Sequence, residues 1–188
     1  MICRVHAIEP ASRANGPGLR TVIWFQGCRR ACPGCFNPLT HAADGGVEME
    51  TEELANRIAT LGVSISGGEP FEQPEALLDL VQRLRARDLS ILIYSGYAIE
   101  EIRAMPAGPP VLGAIDILID GPYIDALRGQ GGFPGSANQR IHLLTSRHRP
   151  EEFVSLPRTE IILHRDGSIT LTGAAPPRLG GRRGRPWK

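Results

Sequence analysis

The chain has no run of about eighteen consecutive apolar residues, so no membrane-spanning helix is expected. Its opening, MICRVHAIEP, also lacks the long apolar stretch of a secretory signal. Charge excess is nearly absent. Against 21 Lys and Arg stand 20 Asp and Glu, a formal net charge of +1, which gives no overall electrostatic case for nucleic acid. No segment repeats. Cysteine is scarce, with four in the chain, and three of the four crowd into residues 28–35. A disulfide framework favours even pairing and an oxidising compartment, so this crowding points to a metal site. Cys3 stands apart at the head of an apolar alternating stretch and reads as a buried, inert thiol. These absences describe a soluble, cytoplasmic protein with no membrane or nucleic-acid partner.

With 188 residues, the chain has the size of one globular domain able to bury its own core. Leu19 to Gln26 (LRTVIWFQ) reads as a strand running straight into the cysteines. Thr51 to Leu61 carries Leu54, Ile58 and Leu61 at helical spacing, with Thr51 as its cap and Gly62 where it would stop. A short strand, Val63 to Ser66, follows and ends at Gly67 and Gly68. Residues 73–88 place Leu77, Leu80, Val81 and Leu84 on one face of an amphipathic helix, and Leu89 to Tyr94 is a buried strand. A helix is expected at Ile99 to Met105, a proline-rich break at Pro106 to Pro110, and a strand at Ile115 to Ile119. Strands alternating with helices imply a parallel sheet with right-handed crossovers. Past the glycine-rich loop Gly129 to Gly135, strands at Thr159 to His164 and Ser168 to Thr172 flank Asp166-Gly167, a hairpin signal. The basic, glycine-rich tail GGRRGRPWK reads as disordered.

Thiolates are the natural ligands of iron–sulfur clusters, and a fully ligated [4Fe–4S] cluster uses four. The loop GCRRACPGC offers three, Cys28, Cys32 and Cys35. One iron would then lack a cysteine from the loop and could take an outside ligand. A zinc site of three cysteines completed by His41 or a more distant histidine is the competing reading. Zinc ligands usually come as two C-x₂₋₄-C knuckles, however, and no second knuckle exists here.

GCRRACPGC resembles the C-x₃-C-x₂-C signature of radical S-adenosylmethionine (SAM) enzymes, and SGGEP at Ser66 to Pro70 resembles their second motif. The resemblance implies that Cys28, Cys32 and Cys35 bind a [4Fe–4S] cluster whose open iron chelates SAM. It likewise implies that Gly34 and Phe36 lie on the adenine side and that Gly67, Gly68, Glu69 and Pro70 lie against the methionyl group. Glycine at 67 and 68 suits a close backbone approach to a polar ligand. None of the five histidines gains a catalytic role, because the cofactor supplies the hard chemistry.

Within that superfamily, residues 15–40 resemble the activating proteins of glycyl radical enzymes, above all the anaerobic ribonucleotide reductase activases. YSGY at 94–97, DGPY at 120–123 and GSANQR at 135–140 add to the likeness, which covers about residues 14–140. It implies cofactor-related roles for Ser95, Asp120 and Asn138. The bland alternatives are a turn, a cap and a loop residue fixing its own backbone. The expected reaction is reductive SAM cleavage to a 5′-deoxyadenosyl radical that takes hydrogen from a glycine of a partner enzyme. A flavodoxin or ferredoxin is the expected electron donor. Pro134 stands where the reductase activases tend to carry arginine. The chain also continues through residues 141–188, where compact relatives end. Modification of a peptide or small molecule is therefore the alternative function, and a non-catalytic metal-binding module the remote one. No cysteine follows Cys35, which excludes an auxiliary cluster. The expected fold is an open, partial (β/α) barrel of parallel strands with the site at their carboxyl ends. Residues 1–140 form the core domain of this reading, and residues 141–188 a small extension with a β-hairpin.

Overall fold

A computed structural model describes residues 1–130 and 132–173, so the basic tail lies outside the described residues. The fold is mixed α/β. A seven-stranded sheet runs in the order β3-β1-β2-β4-β5-β6-β7, and a separate two-stranded sheet pairs β8 with β9. The strands are β1 (Ile2–Ser12), β2 (Arg20–Phe25), β3 (Val47–Glu50), β4 (Gly62–Gly67), β5 (Ser90–Tyr94), β6 (Ile117–Asp120), β7 (Arg140–Leu143), β8 (Glu160–Leu163) and β9 (Ile169–Thr172). Among the described residues four α-helices punctuate them: α1 (Thr51–Asn56), α2 (Pro74–Ala86), α3 (Ile99–Ala104) and α4 (Gly108–Ala114). Among these residues no helix is long and apolar enough to cross a membrane.

The sheet departs from the all-parallel expectation at its margins. Strands β2, β4, β5 and β6 pair in parallel, whereas β1, β3 and β7 join antiparallel. Connection length is the reason on the β1 side. A parallel return needs a crossover of a dozen or more residues, and residues 13–19 between β1 and β2 are too few. Helices cover one face, where Leu77, Leu80, Val81 and Leu84 of α2 and Ile102 of α3 bury against Ile23, Ile65, Ile91 and Leu118. On the other face Leu92, Ile117 and Ile119 bury against Phe133 and Phe153. Both faces are thus closed to water along the central strands, as buried parallel strands require.

Two expected features are corrected. The proline-rich break is shorter than expected: it spans residues 105–107 between α3 and α4, while Pro109 and Pro110 fall in the first turn of α4, where a missing N–H costs no intrahelical bond. The helix at 51 is shorter than expected, with Glu50 rather than Thr51 at the cap position. Its last turn tightens, the Ile58 amide donating to the Ala55 carbonyl at 3.2 Å. Arg87 then caps that end through the Ala55 and Ile58 carbonyls. Ile58 remains buried although it has left the helix.

Arg20 fills the inner face at the amino ends of the strands. It is completely buried, and its guanidinium donates to Ser64 Oγ (2.8 Å), the Pro17, Val63 and Ser90 carbonyls (3.0, 2.8 and 2.9 Å) and Ser90 Oγ (3.2 Å). Burial of this cation lowers its pKa to about 10, and five polar contacts keep it from being an orphaned charge.

Asp120, at the end of β6, is buried too. Its carboxylate accepts from the Ile99 amide at 2.6 Å, capping α3, and from Arg140 Nε at 3.0 Å. Burial alone would raise this carboxyl, but the bonds from Arg140 and Ile99 and the His142 ring 3.1 Å away outweigh it and hold it below the usual range. A depressed carboxyl stabilises the fold above its unfolded pKa and loses that contribution as pH falls below about 4. Asp120→Ala is expected to lower unfolding free energy by about 2 kcal/mol at neutral pH. In urea titrations the deficit should shrink as the pH falls to 3.

Candidate functional site

The parallel register brings the ends of β2, β4, β5 and β6 to one rim. The cysteine loop leaves β2 and is strapped back at its base. Gly27 N donates to the Thr40 carbonyl at 2.7 Å, Cys28 N to the His41 carbonyl at 3.1 Å, and Cys35 N to the Cys32 carbonyl at 3.0 Å. Gln26 completes the strap, its buried amide donating to the carbonyls of Leu39 (3.1 Å) and Ala42 (2.6 Å). All four cysteines are free; Cys3 is buried and Cys28, Cys32 and Cys35 are half-buried. Burial raises the Cys3 thiol to about 11 and pushes Cys28 and Cys35 upward.

A cavity opens between the loop and the rim. Cys28, Cys32, Cys35 and Phe36 line it from the loop, Gly67, Gly68 and Glu69 from the end of β4, and Ser95 from the end of β5. The remaining expected residues sit off its wall. Gly34 packs against Asp125, and Pro70 opens a short helix behind Glu69. Asp120 caps α3, as described above. Asn138 donates to the Pro122 carbonyl at 2.7 Å, although its neighbour Gln139 does reach the cavity.

Glu69 is the most constrained polar group here. It is buried and accepts from the Gly96 amide (2.7 Å), Ser95 Oγ (2.9 Å) and the Phe71 amide (3.1 Å). Burial outweighs these bonds and lifts its carboxyl to about 7. Glu69 thereby ties the end of β4 to the end of β5. Its own amide donates to the Gly27 carbonyl at 2.9 Å, joining that tie to the residue before Cys28.

Sequence reading did not single out Asn15, Trp24, Arg30 or Gly173 as lining residues, yet all four line the cavity. A signal existed for Trp24 alone. It is level with Ser66 across the β2–β4 pair, so period-two alternation directs it to the same face. Arg30 lies 4.6 Å above the Tyr97 ring. Three polar atoms at the cavity wall are buried without a hydrogen-bond partner among the described residues: Arg30 Nε, His41 Nε2 and Tyr94 Oη. Buried polar groups are normally paired, so their convergence fits a cavity that receives a polar ligand. Among the described residues no three His, Cys, Asp or Glu side chains converge on one ion position. A cuboidal cluster meets each thiolate at a different iron and does not require such convergence.

The family model for the 4Fe-4S single cluster domain matches residues 14–142. The anaerobic ribonucleoside-triphosphate reductase-activating protein of Salmonella typhi is 34% identical over 154 residues, covering 75% of this chain and 99% of that protein. Its Escherichia coli K12 counterpart is 33% identical over 152 residues, covering 74% and 97%. The chain belongs to this family. The pyruvate formate-lyase-activating enzyme of Clostridium pasteurianum is 37% identical over 99 residues, covering 48% of this chain and 42% of that enzyme. A member of this radical SAM activase family carries two cofactors, a [4Fe–4S] cluster and SAM. The free thiols and the unpartnered polar atoms around the cavity are a donor set that fits them.

Proposed function

We propose that this chain activates a glycyl radical enzyme, taking hydrogen from one glycine of a partner of the anaerobic ribonucleotide reductase kind. One observation carries the reading: relatives named for that activation match over almost their whole length. The carriers of the chemistry are proposed from the motifs that resemble the radical SAM signatures. Cys28, Cys32 and Cys35 hold the cluster, Gly34 and Phe36 flank the adenine, and Gly67, Gly68, Glu69 and Pro70 flank the methionyl group. Ser95 acts through Glu69, whose carboxylate it donates to at 2.9 Å. Asp120 and Asn138 act one layer further out, steadying the segments that carry Gly121 and Gln139 to the cavity wall. When bound, the cofactors supply reductive cleavage of SAM to a 5′-deoxyadenosyl radical.

The protein's own contribution is orientation and exclusion of competing reactions. The open sheet, with β3 and β7 as its edges, supports the partial-barrel reading and a lateral entrance for a protein loop. A flavodoxin or ferredoxin is the proposed electron source, and the cytoplasm the proposed location, with no nucleic-acid or membrane partner. Anaerobic mixing with SAM, reductant and the cell's anaerobic ribonucleoside-triphosphate reductase should produce a glycyl radical signal in electron paramagnetic resonance. Silence with every glycyl radical enzyme of that cell would reject the proposal. The unmatched quarter of the chain favours one second reading, modification of a peptide or metabolite. That reading predicts radical chemistry on such a substrate instead.

Glu69→Gln tests the tie between β4 and β5. Both carboxylate oxygens accept from N–H donors, so a side-chain amide must set its own NH₂ against one of them. SAM affinity is expected to fall about tenfold, the cost of roughly one unmade buried bond. Equilibrium binding to the reconstituted protein measures it, and unchanged affinity would remove Glu69 from the SAM loop.

A further inference from the structure

The relatives use nearly their whole length in the match, while about a quarter of this chain has no counterpart in them. Residues 143–173 follow the stretch that the family model matches and are folded against the core. Phe153 stacks edge-on to Phe133 with centroids 5.8 Å apart. The β8–β9 hairpin is pinned to the segment after β1, where Glu160 accepts from Ser12 Oγ (2.6 Å) and the Arg13 amide (2.9 Å), and Thr172 Oγ1 accepts from Asn15 Nδ2 (2.9 Å). Between the GSANQR loop and this extension runs a groove of about 520 Å³. Its walls include Phe133, Pro134 and Gln139 on one side and Val154, Leu156 and Arg158 on the other.

Two features of the groove point to its occupant. Gln139 lines both the groove and the cysteine-lined cavity, so an extended chain lying in one can continue into the other. Arg158 gives one bond, from Nη1 to the Gly129 carbonyl at 3.0 Å. Its Nε and Nη2 are buried without a partner among the described residues. A guanidinium with an edge unpaired, set in a largely apolar groove, matches a carboxylate accepting both donors. The chain's own segment 174–188 is a poor candidate, since Arg178, Arg182, Arg183, Arg185 and Lys188 are its charged residues and share the sign of Arg158.

We infer that this groove binds an extended, acid-bearing segment of the partner protein, with a carboxylate side chain on Arg158 while the neighbouring glycine reaches the cavity. The inference rests on the activating function proposed above and deepens it, because the extension then selects the partner. Val154 fits the same role, an apolar side chain 86% exposed at the groove.

The test compares Arg158→Glu, Val154→Asp and a chain ending at Gly173 with the unaltered protein. All are reconstituted anaerobically with cluster and SAM, and titrated with the cell's anaerobic ribonucleoside-triphosphate reductase. Each point substitution should raise the reductase concentration giving half-maximal radical yield by about tenfold or more. The maximal yield should change far less, with iron content and SAM affinity as in the parent. The truncated chain should bind the reductase as the parent does. Parental half-saturation in both point variants overturns the groove, as does tighter binding by the truncated chain, which would give the groove to the tail. Failure of the activating function looks different: the unaltered protein would then cleave SAM yet leave no radical on the reductase, and the groove assignment would fall with it.

Discussion

Cys32→Ala is expected to yield a folded protein without a stable [4Fe–4S] cluster and without 5′-deoxyadenosine formation. Cys32 is half-buried in a loop strapped to the rim of the sheet and belongs to neither apolar cluster of the interior. Truncating it should therefore change stability by no more than about 0.5 kcal/mol. The effect on the cluster is of another order. The substitution removes one of the three thiolates that the loop supplies, leaving two for a cluster that takes four when fully ligated, and iron content should fall close to background. Cys3→Ala is the matched control. That thiol is equally a cysteine, but it is buried in the main core, donates to the Met49 carbonyl at 3.5 Å, and is raised to about 11 by burial. It should keep iron, sulfide and turnover while costing some stability. A cluster that survives Cys32→Ala, or is lost in Cys3→Ala, would overturn the ligand assignment.

Gly68→Ala should disrupt the SAM loop with a single added methyl group. A Cβ at residue 68 would stand 2.2 Å from the Gly27 carbonyl oxygen and 2.8 Å from its carbon. Both are backbone atoms that cannot rotate away. The same stretch is laced by Gly68 N to the Phe25 carbonyl at 2.7 Å and Glu69 N to the Gly27 carbonyl at 2.9 Å, so the strain passes directly to the residue before Cys28. Overpacking of this kind costs about 1–3 kcal/mol, and SAM affinity is expected to fall more than about tenfold as the loop shifts. Gly113→Ala, in α4 with nothing within 4 Å of the added carbon, supplies the contrast. There Ala is the better helix former, and stability should hold or rise by up to about 1 kcal/mol. Denaturant unfolding and SAM titration of the two proteins separate a local clash from a general intolerance of alanine.

The central elements were legible because their periodicity is local. Residues 73–88 announced α2 through four leucine and valine positions on one face, and it forms over Pro74–Ala86. LSILIY became β5 at Ser90–Tyr94, and Asp166-Gly167 marked the turn of the β8–β9 hairpin. The antiparallel margins were not legible. Strand β3 reads VEME and is mostly exposed, so it carries no apolar alternation; its identity comes from pairing with β1 across a long stretch of chain. Helix α4 was hidden by prolines that are harmless in a first turn.

The same division runs through the site. The cysteines, the two glycines and Glu69 could be named from their motifs, and the fold gathers them on one rim because each follows a parallel strand. Arg30, Asn15 and Gly173 reach the cavity through loop geometry and the docking of the hairpin. A single sequence has no periodic signal for such contacts. Asp120 illustrates the middle ground, since a cap and a cofactor-related residue look alike in sequence, and only the bonds to Ile99 and Arg140 show what it holds.

The most direct measurement is electron paramagnetic resonance of the anaerobically reconstituted, reduced protein before and after addition of SAM, alongside metal and sulfide analysis. Iron and sulfide in matching amounts, and a cluster spectrum that changes when SAM is added, are the predicted result. Zinc in place of iron, or a cluster spectrum indifferent to SAM, would contradict the account.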